Sequence, residues 1–171
     1  MTPKNASGPW VVLATALAGV ALLATAAHAA TSIYKTSNNV SQLGTGAVNL
    51  TLGEGNLGTL TIHTPVASRL AIFFNAECTT DRTSDTDFVD IDLRVDGVVI
   101  APSSGLNAFC SGTGGGLDDW VTASVDGVVD VAAGTHTIQV RVDLITGLTG
   151  SGSQWRIDDL SLIVIVDELL P

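Results

Sequence analysis

The chain has 171 residues, a formal net charge of −10, and 46% hydrophobic but only 14% charged residues. That balance is too apolar for a disordered chain, and the length suits one domain. With 7 basic residues against 17 acidic ones it does not fit a nucleic-acid binder.

The first residues read as a secretory leader. Lys4 precedes the apolar run from Trp10 to Ala24, and Ala27-His28-Ala29 supplies small residues at a signal-peptidase site. Cleavage after Ala29 leaves residues 30–171 as the folded domain. This part holds all the acidic residues and loses only Lys4 among the basic ones, so export makes the chain more acidic. The expected location is extracellular or periplasmic, in a bacterial host, with no stable membrane insertion once the leader is gone. Both cysteines, Cys78 and Cys110, lie in this part. An even number in an exported chain points to one disulfide.

Beyond the leader the pattern is period two, with turn residues between the runs. Ala47–Leu52 alternates, placing Val48, Leu50 and Leu52 on one face. Leu60 and Ile62 share a face in 59–63. Leu70-Ala71-Ile72-Phe73-Phe74 is apolar on both faces, as in a central strand of a covered sheet. A polar loop is expected over Thr79–Thr86. Val89, Ile91, Leu93 and Val95 then alternate with Asp90, Asp92 and Arg94, which would solvate an edge. Asp96-Gly97 reads as a type I′ hairpin turn, because that turn needs positive φ at both central residues. Asp126-Gly127 repeats the same dipeptide between Val125 and Val128, and a second hairpin is expected there.

Gly134 opens the clearest strand, with His136, Ile138, Val140, Val142 and Leu144 inward. Trp155 and Ile157 start the last strand, which resumes as Leu160, Leu162, Val164 and Val166. The apolar phase changes at Asp158-Asp159, as a β-bulge would make it do. About eight strands at short spacing define an all-β fold: a single antiparallel β-sandwich, jelly-roll-like.

Candidate sites follow from residue chemistry. Asp81, Asp85 and Asp87 fall in one loop and are the candidate metal ligands, for calcium, which takes six to eight oxygens. No other cofactor is expected. Trp120, beside Asp118 and Asp119, is the candidate sugar platform, since a pyranose face packs on a flat ring. Trp155, in phase with Ile157, belongs to the core. A hydrolytic reading lacks a G-x-S-x-G elbow, and His136 on an inward face reads as a hydrogen-bonded core histidine. Ile163 and Ile165 point away from Leu162 and Val164 yet are also apolar. They mark either a covered central strand or a subunit contact.

The segments Gly134–Val140, Trp155 and Leu160–Val164 resemble the last two strands of the tumour-necrosis-factor and complement-type jelly rolls. They are equally similar to secreted bacterial sandwich proteins. The resemblance implies an exported jelly roll, often trimeric, that works by binding or assembly. The expected function is therefore a non-enzymatic structural, adhesive or assembly role. Its alternative is a carbohydrate- or calcium-binding extracellular module.

Overall fold

A computed structural model describes residues 32–53, 58–81, 87–102, 108–111, 120–146 and 154–169. The leader, Asp85, Asp118, Asp119 and the side chain of Asp81 lie outside the described residues. All the regular structure described is β: β1 (Ser32–Asn38), β2 (Gln42–Gly44), β3 (Val48–Asn49), β4 (Leu60–Thr64), β5 (Ser68–Asp81), β6 (Phe88–Val95), β7 (Val98–Ala101), β8 (Ala108–Cys110), β9 (Val121–Val131), β10 (Gly134–Ile145) and β11 (Gln154–Glu168). No helix among these residues is long and apolar enough to cross a membrane.

The strands form two antiparallel sheets. One runs β1-β11-β5-β9, with β2 also on β11. The other runs β3-β10-β6-β7, with β4 also on β10 and β8 on β6. Period-two alternation turns an apolar face of each sheet inward, and these two inner faces bury each other. Leu70, Ile72, Phe74, Leu162 and Val164 meet Val89, Leu93, Ile138, Val140 and Val142 across a closed core. Phe74 also meets Phe109 of β8, with ring centroids 5.7 Å apart. The expected β-sandwich is the observed fold.

Three local expectations hold. Asp96 and Gly97 have φ of 51° and 81° and turn the chain from β6 into β7. The pairing of β11 with β5 shifts register between Asp158 and Ser161, and Asp159 sits at φ 44°, so the phase change is a bulge. Cys78 and Cys110 form a disulfide with a Cα separation of 6.1 Å. It ties β5 of one sheet to β8 of the other.

Others need correction. Asp126-Gly127 is not a turn. It lies inside β9, paired with Phe73 and Ile72 of β5. Gly127 serves close packing instead, since a Cβ there would come within 3.0 Å of the Ala101 Cβ and the Ile100 Cδ1. The polar loop starts later than expected, because Thr79, Thr80 and Asp81 end β5. β6 is not an edge: β10 flanks it on one side and β7 and β8 on the other, and Asp90 is buried. Val48 faces solvent while Leu50 and Leu52 enter the core, because β3 stops at Asn49. β1 and β2 are additional strands that the alternation does not announce.

Candidate functional site

The outer face of the β1-β11-β5-β9 sheet is the notable surface. β11 and β5 are interior strands of that sheet, and on a solvent-facing antiparallel sheet their outward residues should be polar. Here they are not. One row across the four strands reads Ile33, Ile165, Ala71, Val128. The next reads Lys35, Ile163, Phe73, Asp126. Ile33 is 58% exposed, Val128 59% and Phe73 40%, while Ile163, Ile165 and Ala71 are half-buried by their neighbours in the sheet.

The expectation of a covered central strand for 70–74 and 160–166 is thus met by strand position but not by covering. Among the described residues no second layer lies over Phe73.

Polar rows bound this band at both ends. Above it lie Ser37, Ser161, Asn75 and Ser124. Below it Asp167, Arg69 and Asp130 stand side by side on β11, β5 and β9. Arg69 donates from Nε and from an Nη to the two Asp130 oxygens at 2.7 and 2.9 Å. The pairing raises the Arg69 pKa and lowers that of Asp130, and both groups remain in solvent. Lys35 and Asp126 have no ion-pair partner among the described residues. A shallow groove runs along the β1–β11 junction, lined by Lys35, Thr36, Ser37, Ser161 and Ile163.

The other candidates separate in space. Trp120 is half-buried at the start of β9, and the guanidinium carbon of Arg156 lies 6.0 Å from its ring centroid. Trp155 is in the core, 1% exposed, as its phase with Ile157 requires. Asp87 is buried and engaged. No three metal-ligating side chains converge among the described residues.

His136 is buried and hydrogen-bonded, as expected. Its Nδ1 lies 2.7 Å from Asp96 Oδ2 and its Nε2 lies 2.9 Å from the Ala132 carbonyl. Both partners are acceptors, so both ring nitrogens carry protons and the ring is an imidazolium. Asp96 Oδ1 also accepts from the Thr137 amide at 2.8 Å. The clamp fixes the β6–β7 turn to β10. The hydrogen bond to Asp96 raises the His136 pKa against the opposing effect of burial. The bonds from His136 and from the Thr137 amide lower that of Asp96.

The signs set a window. The His136 contribution to stability is complete below about pH 6.5 and is lost as pH rises through the raised folded value. The Asp96 contribution is complete above about pH 4 and is lost as pH falls through the lowered one. Asp96 is half exposed, so the clamp is worth about 1 kcal/mol, or about 3 °C in melting temperature. Thermal melts should show wild type losing this increment on the alkaline side while His136→Gln does not. Parallel curves would remove the imidazolium assignment.

No protein-family model matches the chain, and no curated protein does. Among solved structures, a family 35 carbohydrate binding module from Clostridium thermocellum is similar at 16% identity, covering 77% of this chain and 97% of that one, with a TM-score of 0.35.

Proposed function

We propose that this chain is an exported, non-enzymatic β-sandwich that serves as an assembly module, with the outer face of the β1-β11-β5-β9 sheet as its contact surface. The observation that carries this is the exposed apolar band from Ile33 to Val128. On an otherwise acidic domain, a continuous apolar strip over four strands is the feature expected of a protein contact rather than of a solvated face. The cross-sheet disulfide fits an oxidising compartment and so supports export. Sedimentation of the purified chain over about 1–500 µM should show mass rising with concentration, in the weak-interface range. Phe73→Asp should suppress the rise. A wild-type chain that stays monomeric throughout would overturn the reading.

A second reading rests on Trp120 beside Arg156, an aromatic ring and a guanidinium donor that together could hold a sugar. A glycan array with Trp120→Ala as control tests it. Signals that survive the substitution would exclude this ring as the platform.

A further inference from the structure

The outer face is complementary to itself, and we infer that its partner is a second copy of this chain, packed face to face about a two-fold axis. This rests on the assembly reading above and adds the partner and the geometry. An isologous contact requires that each residue meet a residue of fitting character when the patch is turned onto itself. Place the axis in the plane of the contact, along the strands, between β11 and β5. The partner's β5 then faces β11, and the partner's β9 faces β1.

The cross-strand registers decide what meets what. Lys35 on β1 and Asp126 on β9 stand at opposite ends of one row, so each lysine faces the other copy's aspartate. In the lower row Asp167 on β11 faces Arg69 on the other copy's β5. Each contact occurs twice, giving four juxtapositions of opposite charge and none of like charge in the rows from Ser161 to Asp167. The next row, where Asp158 would face the other copy's Glu77, bounds the contact at that end. Between them Ile33 faces Val128, and Ile163 faces Phe73. Ile165 comes over Ala71, a large side chain above a small one.

No other axis along the strands does this. Moved to β11, it sets Ile163 on its own copy and Lys35 against Phe73, leaving Asp126 outside the contact. Facing sheets pack about 10 Å apart with strands inclined by roughly 30°, which an axis tilted by about half that angle from the strands provides.

Size sets the strength. Four strands at about 4.8 Å spacing and seven residues at about 3.3 Å rise give a face of roughly 19 by 23 Å. That is below the standard footprint of about 800 Å² per partner, so a reversible dimer with a Kd on the order of 10–100 µM is expected.

Charge exchange tests the geometry. By sedimentation equilibrium at low salt, Lys35→Glu and Asp126→Lys should each weaken the dimer about tenfold, because each variant creates two like-charge contacts. The double variant should return to within about threefold of wild type. Circular dichroism would show all three folded, since both positions are on the surface. If wild type associates but the double variant does not recover, or if the mass passes beyond a dimer, the two-fold pairing is wrong and the assembly reading stands. If wild type does not associate at all, both fall.

Discussion

Replacing Trp155 by Ala should cost about 3–5 kcal/mol of unfolding free energy, among the largest effects of any single change in this chain. The indole is 1% exposed and fills the end of the core beneath β2. Its Nε1 donates to the Gly46 carbonyl at 3.1 Å. Gly44 pairs directly opposite Trp155, and a Cβ at Gly44 would run into the indole. Truncation therefore leaves a cavity and strips the Gly46 carbonyl of its partner at the same time. Trp120→Ala is the control. That ring is half-buried, and its loss should cost about 1 kcal/mol or less. Urea unfolding followed by far-UV circular dichroism compares the two, and equal midpoints would contradict the placement of Trp155.

The second large effect belongs to Cys78 and Cys110. They close a loop with a sequence separation of 32. In the chain-entropy account a loop of that size contributes about 3–4 kcal/mol by restricting the unfolded chain. The bond also joins the two sheets at β8, which is only three residues long and, among the described residues, pairs with β6 alone. The double change to Ala should lower the melting temperature by about 10 °C or more. β8 would loosen first, exposing the Phe74–Phe109 contact. A calorimetric scan with and without reductant on wild type is the matched measurement. A melting temperature indifferent to reductant would argue against the bond.

The sequence announces the strands whose apolar residues stay in phase over several turns of the pleat. β10 is the clear case, with five inward positions from His136 to Leu144 all buried. β1 escapes because its two apolar residues, Ile33 and Tyr34, are adjacent and so point to opposite faces. β2 is too short for any period to emerge. Asp126-Gly127 misleads because a dipeptide suited to a turn is also tolerated in a strand when the neighbouring sheet needs room. The phase held the answer: Ala123, Val125, Val129 and Val131 keep one parity straight through it.

The outer face was half readable. Ile163 and Ile165 stand out against Leu162 and Val164, but their neighbours Phe73, Ala71, Val128 and Ile33 come from three other segments. Only the register brings those six into one band. The ends of the band are further still from local sequence, since Lys35 and Asp126 lie 91 positions apart.

The placement of β11 has a consequence for biosynthesis. This strand is the last described in the chain, yet it sits inside its sheet and is the partner of β1, β2 and β5. Until residues 154–168 leave the ribosome, β1 and β2 have nothing to pair with and β5 shows a bare edge of fourteen residues. The sandwich therefore cannot close before this strand has emerged, and nearly all its pairings are distant in sequence, which slows closure further. A nascent chain kept open in this way remains threadable through a translocation pore, in keeping with the export proposed above. A frameshift or stop before Leu160 would leave a sheet without its spine rather than a trimmed domain.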